Sequence, residues 1–444
     1  MEAKTPVDLL VHARWVVPVE PSGLVLPSHS LAVSGGRIEA LLPTAEAHAR
    51  YAGAREVWLR NHALIPGLVN LHTHAAMTLM RGLADDLPLM EWLKHHIWPA
   101  EMQHVSPEFV YDGTRLACAE MLRGGITCFN DMYFFPEAAA RAVLASGMRA
   151  AIGMIVIDFA SAYATDPDDY LNKGMALRDE HAGNPLLRFC MAPHAPYTVS
   201  DKTLSKVVIY AEQLDVPIHI HLHETSDELR ESVERFGMRP LARLHALGML
   251  GPNLVAVHMV HLSQEEVELV ARQRCAIAHC PSSNLKLASG IEPPVSLLAH
   301  GIPIGLGTDG AASNNRLDLF EEMRLAALVA KVATRRADTL PAHQVLTMAT
   351  LNGARALGWD AEIGSLVPGK SADLVAVDMG SVELSPCYNP VSHLVYAASR
   401  RDVSHVWVNG RLLVEEGRLA TLDTGELIAR AAHWRDRINP PVGQ

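Results

Sequence analysis

The sequence of 444 residues predicts an α/β protein, a (β/α)8 barrel of the TIM type with a small β-sandwich domain built from both termini. Three observations carry this. Eight short apolar or β-branched runs alternate with segments of helical period, polar and imidazole-bearing residues gather at the C-terminal ends of several runs, and both ends of the chain carry hairpin signals. Alternation of that kind closes into a parallel barrel. In such a barrel the functional groups sit where loops leave the C-terminal ends of the strands.

The eight runs are residues 64–71, 127–130, 149–157, 187–192, 217–221, 254–258, 276–279 and 302–308. Between them, 201–214, 227–236 and 264–273 have the 3.6-residue period of amphipathic helices, as does 316–332 further on. The flanks read differently. Residues 406–414 are two β runs around Asn409-Gly410, a pair that tolerates positive φ and marks a tight hairpin. Residues 31–38, with Gly35-Gly36, resemble a second hairpin. The expected division is 1–63 and 363–444 for the two parts of the small domain and 64–362 for the barrel. The tail 439–444 carries little apolar surface and is expected to fray.

His72-Thr73-His74 closes the first run, and on a strand residues two apart share a face, so both imidazoles can reach one metal ion. His221, Glu224, His258 and Asp309 lie near the ends of later runs. A packed core gives no reason for polar groups to recur at the same end of successive strands. Zinc takes imidazole nitrogen and carboxylate oxygen and leaves a position for water, so His72, His74, His221 and Asp309 are the expected ligands. Glu224 reaches the same mouth without binding the ion and suits general acid-base work, and His258 suits orienting or polarising the water. Asp309 suits accepting the water's proton besides binding metal. His219 and His223 share the strand parity of His221, and His261 shadows His258, so exchange within these sets stays open.

Composition narrows the classes. Hydrophobic residues at 49% and charged residues at 20% describe a globular chain with a large core. No run of 18 apolar residues that could span a bilayer occurs, and the first residues lack a secretory pattern, so the cytoplasm is expected. A formal charge of −11 without a basic cluster argues against nucleic acid. The six cysteines form no C-x-x-C pair and lie mostly in apolar runs, as reduced thiols do. The expected partners are a small-molecule substrate and further copies of the chain, with no nucleic acid and no membrane. Gly305-Leu306-Gly307-Thr308-Asp309-Gly310 matches a dinucleotide fingerprint, but the helix expected at 316–332 leaves no second strand for the acidic residue of that motif. Its glycines are expected to let the backbone turn tightly beside Asp309.

Pro66 to His74, His221-Leu222-His223-Glu224-Thr225 and Gly307-Thr308-Asp309-Gly310-Ala311-Ala312-Ser313-Asn314-Asn315 resemble the amidohydrolase superfamily. Within it the chain is similar to the 5'-methylthioadenosine/S-adenosylhomocysteine deaminases, also through His279-Cys280-Pro281-Ser282-Ser283-Asn284-Leu285-Lys286-Leu287 and through residues 363–374. The choice of His221 and His258 over their neighbours leans partly on this resemblance. It implies one divalent metal, usually zinc, and hydrolytic deamination of an adenine nucleoside at C6 to the inosine analogue and ammonia. It further implies that His194 contacts substrate, that Glu101 accepts hydrogen bonds from ribose hydroxyls, and that Trp92 packs on the ribose or purine or else is a structural tryptophan. A carboxylate suits a diol because it accepts from both donors. Residues 153–156 offer no cation for the amino-acid end of S-adenosylhomocysteine, which favours the methylthio compound. The alternatives are an amidohydrolase acting on a free base such as guanine, cytosine or a triazine, for which Glu101 would have no ribose to bind, and a non-catalytic binder.

Overall fold

A computed structural model describes residues 3–291 and 294–440, the side chains of 294–296 excepted. Four strands precede the barrel: β1 (Thr5–Val16), β2 (Leu26–Ser34), β3 (Arg37–Pro43) and β4 (Tyr51–Pro66). The barrel strands are β5 (Leu68–Thr73), β6 (Ile126–Asp131), β7 (Arg149–Val156), β8 (Leu187–Pro193), β9 (Ile218–Leu222), β10 (Leu254–His258), β11 (Ala276–His279) and β12 (Ile304–Leu306). β13 (Leu374–Asp378), β14 (Val403–Val408), β15 (Arg411–Glu415) and β16 (Arg418–Leu419) follow.

β5 to β12 form one parallel sheet in sequence order. Every residue of β5, β6 and β7 is buried, the mark of strands covered on both faces, and this is why they read as continuous apolar runs. The ring is drawn together between its last and first strands by Asn70. Its amide donates to Thr308 Oγ1 at 2.8 Å and its carbonyl accepts from the Thr308 amide at 2.9 Å. The amides of Thr308 and Asp309 also reach the His72 carbonyl at 3.1 and 3.0 Å. The strand bearing two histidines is thereby tied directly to the segment bearing Asp309.

The remaining strands form a second, mixed sheet in the order β16-β15-β14-β13-β4-β1-β2-β3. β4 joins the two chain ends, parallel to β1 and antiparallel to β13 with Val375 opposite Ile65. Leu9, Val11, Leu31, Val33, Leu64, Leu374 and Trp407 make its core. Both hairpins form as expected: Asn409 and Gly410 have φ of 51° and 74° between β14 and β15, and Gly35 and Gly36 have φ of 56° and 76° between β2 and β3.

One expected strand is two. The run 64–71 divides at Gly67: Leu64 to Pro66 complete β4 in the terminal sheet, and the barrel begins at Leu68. A Cβ on Gly67 would lie 1.9 Å from Thr127 Oγ1, so the chain changes sheets where it presses against β6. The C-terminal end also departs from a purely β reading. The helix Thr424–Ile438 buries Trp434 on the barrel helix Pro107–Arg123, with the indole N–H donating to Asp112 Oδ2 at 2.9 Å. Residues 441–444 of the tail expected to fray lie outside the described residues. The helix expected at 316–332 runs Leu319–Thr334, begun by Asp318, whose carboxylate accepts from the Phe320 and Glu321 amides.

Arg149, at the N-terminal end of β7, is buried against Asp373, its Nε donating to Oδ2 at 2.8 Å and an Nη to Ser371 Oγ at 2.6 Å. It locks the barrel to the terminal sheet and is spent there. No helix among the described residues is long and apolar enough to cross a membrane, and the six cysteines are unpaired.

Candidate active site

Ligand-type atoms of His72, His74, His221 and Asp309 lie within 4.8 Å of one another at the C-terminal mouth of the barrel. His72 Nε2 and His74 Nε2 stand 3.1 and 3.3 Å from Asp309 Oδ1, and His221 Nε2 is 3.2 Å from His72 Nε2.

The outer ring nitrogens decide whether this group suits an ion. His74 Nδ1 is 2.6 Å from the Met132 carbonyl, and His221 Nδ1 is 2.8 Å from the His194 carbonyl. A carbonyl only accepts, so both rings carry a proton on Nδ1 and, when neutral, turn a bare Nε2 inward. His72 Nδ1 meets His219 Nε2 at 2.9 Å. The hydroxyls of Ser283 and Ser313 donate to Asp309 Oδ2, each at 2.7 Å, leaving Oδ1 toward the imidazoles. Inward lone pairs this close repel unless positive charge lies among them. The donor set is that of a four-coordinate site for zinc or a similar ion, with a position left for water.

Electrostatics agree. Burial lowers His72 to about 4, against the pull of Asp309, and puts His221 and His219 well below the ordinary imidazole range, so these rings are neutral at neutral pH. Burial works against protonation of His74 too, but the hydrogen bond and charge of Asp309 outweigh it and lift His74 to about 9. Burial would raise Asp309, yet its contacts with His72 and His74 hold it well below the usual carboxylate range. The cluster thus draws a positive charge to its centre.

Beside it, Glu224 Oε2 is 3.7 Å from His258 Nε2. Burial raises the Glu224 carboxyl, opposed by His258 and reinforced by the charge of Asp309. His258 Nδ1 is 2.8 Å from Asn284 Oδ1, while its buried Nε2 makes no hydrogen bond among the described residues. A buried unpartnered nitrogen costs about 1–3 kcal/mol, which a substrate or water at the site recovers. His223, His258 and Asp309 have φ of 54°, 72° and 58°, left-handed conformations that non-glycine residues seldom adopt. The turn at Asp309 is therefore made by the aspartate itself, which corrects the expected role of the neighbouring glycines. Gly307 allows close approach instead: a Cβ there would lie 2.9 Å from the His72 Cβ and 3.0 Å from Cys280 Sγ.

Above the cluster opens a cavity of about 260 Å³, walled by Met77, Trp92, Phe135, Ile155, Phe159 and Tyr163 among others. Glu101, His194, Glu224, His258 and Asp309 also line it, so the residues expected at the site come together there. Trp92 is buried, its indole N–H on the Ala84 carbonyl at 3.1 Å. His194 holds Thr198 Oγ1 at 3.1 Å and is lowered to about 3 by burial and the neighbouring imidazoles. Glu101 Oε1 accepts from the Tyr133 hydroxyl at 2.8 Å. Burial raises Glu101 to about 7 against Tyr133 and His74.

The open alternatives separate. His223 faces the Leu241 amide and the His261 carbonyl, and His261 faces the Ser289 carbonyl, so neither joins the cluster. His219 stands behind His72. Tyr133, Asn284 and the orienting serines carry no assignment from the sequence. Asn284 and Ser283 fall inside the motif 279–287, but their contacts depend on β10 and Asp309 packing against that segment.

Fold and site together define a metal-dependent hydrolase carried on a parallel barrel. The amidohydrolase family model matches residues 63–413. The chain is 47% identical over 438 residues to 5-methylthioadenosine/S-adenosylhomocysteine deaminase of Saccharophagus degradans, covering 99% of this chain and 98% of the relative. It is 45% identical over 360 residues to 5'-deoxyadenosine deaminase of Methanothermobacter thermautotrophicus, covering 81% and 84%. A crystal structure described as an adenosine deaminase from Xanthomonas campestris with bound zinc superposes with a TM-score of 0.98 at 49% identity, covering 99% of this chain and 100% of that one. The chain belongs to the amidohydrolase family and, within it, to the 5-methylthioadenosine/S-adenosylhomocysteine deaminases.

Proposed function

We propose that the protein hydrolyses the C6 amino group of 5'-methylthioadenosine to give the inosine analogue and ammonia, using zinc held by His72, His74, His221 and Asp309. When bound, zinc acidifies a water to a pKa of about 7. The chain's own groups supply the rest. His258 Nε2, bare and aimed at the site, takes a proton from the attacking water. Glu224, raised by burial, gives a proton to the ring nitrogen as the oxygen adds to C6, and protons returned to the amino group let ammonia leave. The tetrahedral carbon then becomes the carbonyl of the product.

The observation that carries the nucleoside reading is Glu101, a carboxylate in the cavity wall that pairs with no lysine or arginine among the described residues and shares one oxygen with Tyr133. A ribose diol supplies the donors it lacks, and a free base has no such hydroxyls to offer. For the 5' end, no lysine or arginine is among the described residues lining the cavity, and Arg149 is consumed by Asp373. Met, Phe and Tyr side chains suit a methylthio or deoxy group, while a buried carboxylate without a partner is costly. The test follows the absorbance change of the purine with methylthioadenosine, S-adenosylhomocysteine and adenosine, on zinc-loaded and then chelated enzyme. Methylthioadenosine should exceed S-adenosylhomocysteine by at least about tenfold in kcat/KM, a difference of 1.4 kcal/mol, and chelation should abolish turnover. Equal rates on the first two would overturn the substrate assignment.

A further inference from the structure

The helix Ser226–Phe236 starts with Thr225 as N-cap, whose hydroxyl accepts from the Glu228 amide at 3.2 Å. Thr225-Ser226-Asp227-Glu228 is thus a capping-box sequence, in which the glutamate ordinarily reaches back to the amide of the cap residue. A second box in the same chain does so: Glu266 accepts from the Ser263 amide at 2.8 Å. Glu228 reaches further. Its Oε1 accepts from the His223 amide at 3.0 Å and its Oε2 from the Glu224 amide at 2.8 Å.

Strand parity shows what this achieves. His219 and His221 point into the barrel, so continued alternation would place Glu224 with Ile220 and Leu222, on the face packed in the apolar core. His223, at φ 54°, breaks the alternation and brings Glu224 into the cavity. Such a conformation costs about 1–3 kcal/mol and persists only when its surroundings impose it. The Glu228 carboxylate grips the amides of both residues across that turn, and it does so while buried beside another carboxylate, a cost that helix capping alone does not require.

We propose that Glu228 is a positioning residue that holds the left-handed turn at His223 and so aims Glu224 at the substrate. The kinetic half of its test rests on the deamination reading, and the structural half does not. In hydrogen exchange, Glu228→Ala should speed exchange of the His223 and Glu224 amides at least about tenfold while β9 and β10 stay protected. In kinetics, Glu228→Ala should lower kcat about 10- to 100-fold with KM and zinc content unchanged. On a Glu224→Ala background the same change should cost less than about twofold, because a residue acting through Glu224 has nothing left to act on. If Glu228→Ala does not fold, Glu228→Gln, which turns one acceptor into a donor facing an amide, is read in both assays. Equal losses in both backgrounds, or unchanged exchange at residues 223 and 224, would overturn the assignment. If no nucleoside releases ammonia with any of these proteins, the deamination reading falls and exchange alone decides this one.

Discussion

Glu101→Gln tests the nucleoside reading most directly. The side chain lies on the helix Trp98–His104 in the cavity wall, with one oxygen taken by Tyr133 and no other hydrogen-bond donor on it among the described residues. The substitution keeps the shape, removes the charge, and replaces one acceptor by a donor facing the ribose. A hydrogen bond to a charged group contributes about 1.5–3 kcal/mol. Loss of one therefore lowers kcat/KM on a ribonucleoside about 10- to 150-fold. The bond is equally available before and during reaction, so most of the loss should fall on KM. Absorbance assays with adenosine and with its 2',3'-dideoxy analogue make the comparison, the analogue being a poor substrate for both proteins and no poorer for Glu101→Gln. A ribonucleoside KM within about twofold of the parent protein's would refute the argument, since the proposed bond would then contribute less than about 0.5 kcal/mol.

Three other outcomes follow from the structure. Burial lifts Glu101 to about 7, so the carboxylate is neutral below that pH and ionised above it, and KM for a ribonucleoside should fall as pH rises through about 7; Glu101→Gln should lack that limb of the profile. Glu224→Gln should lower kcat about 10²- to 10⁴-fold, the usual range for a general acid-base, while metal analysis finds the same zinc content as in the parent enzyme. Asp373→Ala strands the buried Arg149 guanidinium and should cost about 3–5 kcal/mol in urea unfolding. A loss below about 1 kcal/mol would show that the pair does not lock the two sheets together.

What could be read in the sequence was whatever repeats or stands on one strand. The eight barrel runs are visible because strands buried on both faces leave unbroken apolar stretches, and His72 with His74 is visible because strand parity is local. The change of sheet at Gly67 was hidden inside one apolar run, since Leu64 to Pro66 are as buried as Leu68 to Leu71 and only contact with Thr127 marks the junction. Tyr133 was hidden because its partner Glu101 is 32 residues away on an excursion outside the alternating pattern. Glu224 was reached for an incomplete reason. Nearness to His221 suggested it, yet parity alone would turn it away, and only the left-handed His223 brings it round.

The four side chains proposed as ligands are oriented by two different means. His74 and His221 are aimed by main-chain carbonyls, those of Met132 just beyond β6 and of His194 just beyond β8, so each ring is set by the position of a neighbouring strand's end. No substitution at 132 or 194 removes these acceptors, and no residue type in the sequence announces them. His72 and Asp309 are aimed by side chains, His219 for the first and Ser283 with Ser313 for the second. Mutation can therefore loosen one half of the site residue by residue, while the other half loosens only if the barrel itself deforms. Asn70 joins the halves, because it fastens the strand bearing His72 and His74 to the Thr308-Asp309 backbone. Metal affinity in this chain is accordingly a property of barrel closure as much as of ligand identity, in keeping with the weight that outer partners carry at metal sites.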